Sequence, residues 1–215
     1  MTAPERAAAA RFSPEAVRAR AAERLLPHEP AAEVLTFGDE TALEHVLPLG
    51  RDRLKPAAVL VPLVARDDVT VLLTQRTDAL RAHAGQVAFP GGRIDPEDGG
   101  ALRAALREAR EEIGLEGRFV EFLGYLDPYV TSSSFLVQPC VALVEPGFTL
   151  ALNTQEVAEA FETPLAFLMN PVNHKRGSRL HNGRTRRFYE MPYGGYYIWG
   201  ATAGIIRNLY ERLYG

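Results

Sequence analysis

Apolar positions along this chain follow two rhythms. Continuous apolar stretches at residues 57–64, 69–75 and 135–144 have the length and β-branched content of buried strands. The first two are separated by Asp67-Asp68 and read as the arms of a hairpin. Residues 87–89 and 118–125 give two shorter strands, and residues 186–199 another, broken at Gly194-Gly195. Apolar residues at three- and four-residue steps mark helices instead. Leu102, Ala105, Leu106, Ala109 and Ile113 make the clearest stripe, over residues 101–113, and Gly114 stands where a helix C-terminus favours a residue of positive φ. Ile205, Ile206, Leu209 and Leu213 form a second stripe over residues 201–213. Ser13-Pro14-Glu15 is a helix start, so residues 14–26 are predicted as a short amphipathic helix and residues 1–12 as a disordered tail. Two short helices are expected at residues 154–161 and 165–169; Gly91 and Gly92 are expected in a tight turn, after which a polar loop rich in Gly and Asp runs to Gly100.

Composition narrows the class. A chain of 215 residues suits one domain with extensions, here residues 1–30 as tail and short helix and residues 31–215 as the domain. Hydrophobic residues at 47% and charged residues at 24% place it in the globular range. The net charge of -3 speaks against a nucleic-acid partner, while leaving room for a locally basic pocket. No run approaches the ~18 apolar residues of a membrane span, so no membrane partner is expected. Glu5, Glu15 and Glu23 interrupt the basic N-terminal segment, against a targeting role. Cys140 is the single cysteine, in an apolar run, and reads as a buried thiol; the lack of an internal disulfide fits a cytoplasmic protein. Monomer and homodimer both remain open.

Chemistry concentrates on the helix at 101–113. Glu108, Glu111 and Glu112 stand at i, i+3 and i+4, within about one third of the circumference for a turn of ~100° per residue. Like charges at that spacing weaken an isolated helix. A divalent cation removes the cost, and Mg²⁺ takes oxygen ligands while keeping waters and phosphates in its shell. Arg103, Arg107 and Arg110 offer a plainer explanation, a solvated face of ion pairs. The glycine-rich segment just before the helix, which lets backbone approach a ligand, favours the metal reading.

Arg107-Glu-Ala-Arg-Glu-Glu-Ile-Gly-Leu115 resembles the second half of the Nudix box, with every fixed position filled. The first half departs from it: Asp98 replaces the usual glutamate and the spacing to Arg107 is one residue longer, so Asp98 is left out of the metal set. Upstream, Leu72, Leu73, Thr74, Arg81, Gly85, Phe89, Pro90, Gly91 and Gly92 match a pattern similar to the coenzyme A pyrophosphatase branch, with Thr77 a departure. The resemblance implies an α/β/α sandwich with a mixed central sheet. It implies hydrolysis of coenzyme A or acyl-coenzyme A to 4′-phosphopantetheine and 3′,5′-ADP, with Mg²⁺ or Mn²⁺ as cofactor. On it, Glu108 and Glu112 are metal ligands, with Glu111 completing the cluster. The base is Glu111, Glu112 or Glu156. Arg76, Arg81, Gly91 and Gly92 contact substrate, and Arg107 pairs with a glutamate and holds the loop. His83 and the run His174-Lys175-Arg176 read as solvated or hydrogen-bonded surface. The rivals are a pyrophosphatase for ADP-ribose or NADH, and a catalytically silent nucleotide-sensing module.

Overall fold

In a computed structural model, the residues described are 11–31, 37–38, 53–78, 84–181 and 184–215. Helix α1 (Pro14–Arg24) starts with the Ser13 hydroxyl accepting from the Ala16 N–H at 3.3 Å. There follow β1 (Phe37–Gly38), β2 (Lys55–Val64), β3 (Thr70–Arg76), β4 (Val87–Ala88), β5 (Gly91–Arg93) and helix α2 (Ala101–Ile113). The second half contains β6 (Val120–Tyr125), β7 (Tyr129–Val130), β8 (Phe135–Val144), β9 (Val157–Pro164) and the single turn α3 (Leu165–Leu168). It closes with β10 (Lys175–His181), β11 (Arg184–Tyr193), β12 (Tyr196–Trp199) and α4 (Gly200–Leu213).

Among the described residues, β1 to β9 form one sheet in the order β1-β7-β8-β2-β3-β4, with β5 on β2, β6 on β8 and β9 on β3. The pair β2 and β8 runs parallel from Lys55↔Phe135 to Val64↔Val144, and β3 and β9 run antiparallel, so the sheet is mixed. Alternation along β2 sends Ala58, Leu60 and Val64 to one face and Ala57, Val61 and Leu63 to the other. Helix α2 covers the first face through Ala101, Ala104, Ala105, Ala109 and Ile113, where short alanine side chains let it lie close to the strands. Helices α1 and α4 cover the second face through Val17, Ala21, Ile206, Leu209 and Leu213. The result is the expected α/β/α sandwich, joined by a separate three-stranded sheet β10-β11-β12. A buried network ties α4 to the β6–β7 corner: Asn208 donates to Asp127 at 2.9 Å and Arg212 pairs with the same carboxylate.

Several expectations change. Residues 157–161 are strand, not helix. Ala and Glu favour a helix locally, but the exposed edge of β3 takes this segment as β9 along its whole length, from Thr70↔Pro164 to Arg76↔Val157. The hairpin of β2 and β3 pairs only at Leu63↔Val71 and Val64↔Thr70, because β5 occupies the same edge of β2 at Ala57 to Val59. The glycine-rich segment is accordingly not all loop: Gly91–Arg93 is a strand and Pro96–Asp98 a 3-10 turn. Arg11 and Phe12 are placed, with Phe12 packed on Tyr214 at 5.2 Å between ring centroids. Residues 1–10 of the expected tail, and Arg81 and His83, lie outside the described residues. His174 is half-buried rather than solvated, its Nε2 on the Leu168 carbonyl at 2.6 Å. Cys140 is fully buried as expected, and burial pushes its thiol well above the usual range.

Candidate active site

Helix α2 is fixed at both ends by other parts of the chain. Gly100 has no side chain to cap the first turn, and the Glu29 carboxylate accepts from the Ala101 N–H at 3.1 Å instead. At the other end Gly114 adopts φ 69°, and a Cβ there would lie 2.9 Å from Ala151. The chain at 151–153 can therefore press against the helix terminus. Ala151 N–H donates to the Ile113 carbonyl at 2.9 Å, and Asn153 N–H to that of Glu112 at 2.8 Å. These bonds satisfy carbonyls that have no partner within the helix. They also deliver Glu156, whose Oε1 accepts from Asn153 Nδ2 at 3.4 Å.

The three helix glutamates, neighbours in projection, meet different surroundings. Glu112 is buried, with a side chain only 5% exposed; its Oε2 accepts from Gly91 N–H at 3.2 Å, and its Oε1 lies 3.9 Å from Arg76 Nη1. Burial, with the charges of Glu108 and Glu156 adding, pushes its carboxyl up to about 7 against the opposing pull of Gly91 N–H and Arg76. Glu108 is half-buried, and burial raises it too, opposed by Arg107. Glu111 lies on the exposed edge, its carboxylate 3.2 Å from Arg107 Nη1. Glu108 and Glu112 thus lie side by side on α2, the charges of Glu111 and Glu156 both act on Glu108, and Glu111 is the most exposed of the helix glutamates.

Arg107 holds more than the single glutamate expected of it. Its fork grips Asp98 at 2.8 and 2.9 Å, and its Nη groups reach Glu108 at 2.9 Å and the Arg93 carbonyl at 3.1 Å. One side chain thus joins α2, the 3-10 turn and β5, and this bidentate pair holds the Asp98 carboxyl down at about 2. The two glycines have steric reasons. A Cβ on Gly91 would lie 2.4 Å from the Ala58 carbonyl, so β5 could not pair with β2. A Cβ on Gly92 would lie 2.5 Å from the Glu108 carboxylate, so only glycine lets that carboxylate rest on the strand. The Nε of Arg76 is buried without a hydrogen-bond partner among the described residues.

A scan against protein families matches the NUDIX domain at residues 54–180, more than half of the chain. The chain belongs to the Nudix family. It is 45% identical over 157 residues to the uncharacterized Nudix hydrolase NudL of Yersinia enterocolitica, covering 73% of this chain and 80% of that one. It is 41% identical over 162 residues to the protein of the same name from Photorhabdus laumondii, covering 75% and 87%. Among solved structures, the NUDIX domain of Shewanella oneidensis NrtR in complex with ADP ribose aligns at 17% identity and TM-score 0.48, over 74% of this chain and 88% of that one. Membership carries the family's general activity, hydrolysis of a pyrophosphate bond in a nucleoside diphosphate derivative with the help of divalent metal ions. No helix among the described residues is long and apolar enough to cross a membrane.

The residues fit such an ion. The donors are hard oxygens, and a cation would relieve the burial of Glu108 and Glu112 and the repulsion that Glu111 and Glu156 add to it. They do not form a complete cage: no three His, Cys, Asp or Glu among the described residues converge closely enough to hold a metal alone. That suits an ion whose remaining ligands are water and substrate phosphate. Glu156 was legible beforehand only as one candidate base; the loop that seats it on the helix end had no sequence signal beyond Gly114.

Proposed function

We propose that this chain hydrolyses coenzyme A or acyl-coenzyme A to 4′-phosphopantetheine and 3′,5′-ADP in the cytoplasm. The observation that carries the substrate is the segment Leu72 to Gly92, which matches the coenzyme A pyrophosphatase pattern and ends in the two glycines against Glu108 and Glu112. Water attacks one phosphorus of the diphosphate, the bridging P–O bond breaks, and the proton lost from water is taken up by a base and passed to solvent. Glu108 and Glu112 would hold Mg²⁺ or Mn²⁺. A bound divalent cation supplies charge neutralisation of the diphosphate and a more acidic water.

Glu156 is the base best supported by position, since it faces Glu108 and Glu112 and is steadied by Asn153. Glu111 has the weaker claim, being exposed and held by Arg107. Arg76, a partly exposed guanidinium beside Glu112, binds a phosphoryl oxygen, a role for which a guanidinium is suited. Arg81 shares this role on the strength of the sequence pattern alone.

The test is direct. The pure protein is incubated with coenzyme A, NADH and ADP-ribose in Mg²⁺, and in EDTA, and products are identified by mass. Fastest cleavage of coenzyme A, abolished by EDTA and restored by Mg²⁺ or Mn²⁺, is expected. Faster cleavage of ADP-ribose or NADH transfers the assignment to that substrate, and undiminished turnover of metal-free protein removes the metal from the reading.

A further inference from the structure

The sheet β10-β11-β12 is unusual on the side away from the core. Met191 and Ile198 point inward and are fully buried, and the neighbouring positions point outward. A strand buried on one face ordinarily carries polar side chains on the other. Here the outward positions of β11 and β12 carry Phe188, Tyr197 and Trp199. Phe188 and Trp199 lie 5.1 Å apart between ring centroids, Tyr197 and Trp199 6.1 Å apart with planes 26° from parallel, and Tyr197 is 42% exposed.

Cations surround this aromatic surface. The Arg179 guanidinium lies over the Trp199 ring at 5.3 Å. The register puts Arg179 opposite Arg186 and Lys175 opposite Glu190, all on the same face. Glu190 is its one carboxylate among the described residues, and it is engaged by the Tyr197 hydroxyl. A chain of net charge -3 thus presents a positive aromatic surface.

That face is joined to the metal end of the large sheet. Arg186 Nη1 donates to Ser132 Oγ at 3.2 Å, in the turn that enters β8. Phe135, the first residue of β8, lies under the Arg93 guanidinium at 5.8 Å. Arg93 directly follows Gly92, the glycine against Glu108.

We infer that the outer face of β10-β11-β12 is the subsite for the nucleoside end of the substrate, with the base stacked on Trp199 and a ribose-linked phosphate bound by Arg179 and Arg186. A flat aromatic ring accepts any base by its π-face, and guanidinium groups beside it bind phosphate in two-pronged fashion. The base takes the place Arg179 holds over the indole, and the exposed guanidinium turns to the phosphate. The inference rests on the reading that the substrate carries a nucleoside, and does not require that it be coenzyme A.

Trp199 is the only tryptophan of the chain, so its fluorescence reports on this site alone. The full chain is titrated with 3′,5′-ADP, 5′-AMP and 4′-phosphopantetheine, with free tryptophan derivative as the absorption control. Saturable quenching by the two nucleotides and none by 4′-phosphopantetheine is expected. Arg186→Ala should raise the Kd for 3′,5′-ADP and the KM of the nucleotide substrate ~10-fold, as loss of one charge-assisted contact implies, with kcat within about twofold of wild type. Competitive inhibition by 3′,5′-ADP with unchanged Trp199 fluorescence would overturn the inference. So would quenching by an RNA oligonucleotide with none by the mononucleotides. If coenzyme A is not cleaved but 5′-AMP quenches and inhibits cleavage of ADP-ribose, the subsite stands and the coenzyme A assignment falls. If coenzyme A is cleaved while Trp199 stays silent, the reverse holds.

Discussion

Replacing Glu112 by glutamine should stabilise the metal-free protein at neutral pH while abolishing most of its activity. The carboxyl is buried and its proton affinity is raised from 4.5 to about 7. For a carboxyl raised on folding, the folded state binds the extra proton between those two values. Stability therefore falls as pH rises from 4.5 to about 7 and stays low above it. A rise of that size corresponds to about 3 kcal/mol at most, from ~1.4 kcal/mol per pH unit. Glutamine removes the charge but keeps an oxygen for the Gly91 N–H. Arg76, 3.9 Å away, loses a partner, which reduces the gain. In EDTA at pH 8 the variant should unfold at a higher temperature than wild type, by roughly 2–8 °C for ~1–2 kcal/mol in a chain of this size. At pH 4.5 the difference should vanish. Adding Mg²⁺ at pH 8 should raise the Tm of wild type more than that of the variant. With substrate, kcat should fall ~100-fold or more, about 3 kcal/mol of barrier. The measurement is a thermal melt at the two pH values with and without metal, beside steady-state turnover. A variant less stable than wild type at pH 8 in EDTA, or a difference that ignores pH, would refute the argument.

Gly92→Ala places a methyl 2.5 Å from the Glu108 carboxylate, so Mn²⁺ binding followed by titration should weaken and kcat should drop at least ~10-fold; unaltered Mn²⁺ affinity would show that the carboxylate does not need the strand. Glu156→Gln should lower kcat ~100-fold as expected of a lost base, while Glu97→Gln in the exposed turn stays within about twofold; equal behaviour of the two removes Glu156 from the chemistry. The Asp98 carboxyl is held down at about 2 by Arg107, so its contribution is present above the ordinary carboxylate value of 3.8 and lost as pH falls through about 2. Asp98→Asn should accordingly lower the Tm by the same amount at pH 5 and pH 7, with the gap closing below pH 3. Finally, 3′-dephospho-coenzyme A should be cleaved at least ~10-fold less efficiently by kcat/KM than coenzyme A, about 1.4 kcal/mol, because the charge-assisted contacts proposed for the extra phosphate are then missing; comparable efficiencies would take that phosphate out of recognition.

The parts of the site legible in the sequence are those set by local geometry. The apolar stripe and Gly114 define α2 to the residue, and helical spacing puts Glu108 and Glu112 on one edge. What spacing does not give is the difference between Glu111 and Glu112, adjacent in the chain yet 58% and 5% exposed in their side chains. That difference depends on β5 lying against one side of the helix edge. β5 could not be foreseen because Gly91-Gly92 carries no strand propensity; it pairs with β2 because glycine alone fits beneath Ala58 and Glu108. The strand at 157–164 was hidden for a related reason: its Ala and Glu residues prefer a helix, and the free edge of β3 outweighs them. Glu156, at the entrance to that strand, owes its position to this pairing.

The orientation of the carboxylates follows from three distant segments acting on one helix. Glu29 supplies the hydrogen bond that Gly100 cannot, and it precedes the stretch, 54–180, that matches the family. Its own position depends on α1, whose Val17 and Ala21 are buried against the sheet, and on Leu26, which exchanges backbone hydrogen bonds with Tyr125 at 2.8 and 3.0 Å. At the other end, residues 151–153 bind the last carbonyls of the helix and bring Glu156 with them. Along the side, Arg107 locks the helix to β5 through Asp98 and the Arg93 carbonyl. A rotation of α2 by even a fraction of a turn would break contacts in all three. The buried Glu112 and the half-buried Glu108, both raised in proton affinity, would otherwise relax toward solvent, since burial of a charge is costly even beside Arg76 and Arg107. The three attachments keep them on one edge of the helix, where Arg107 and Arg76 offset part of the repulsion and a divalent cation would offset the rest.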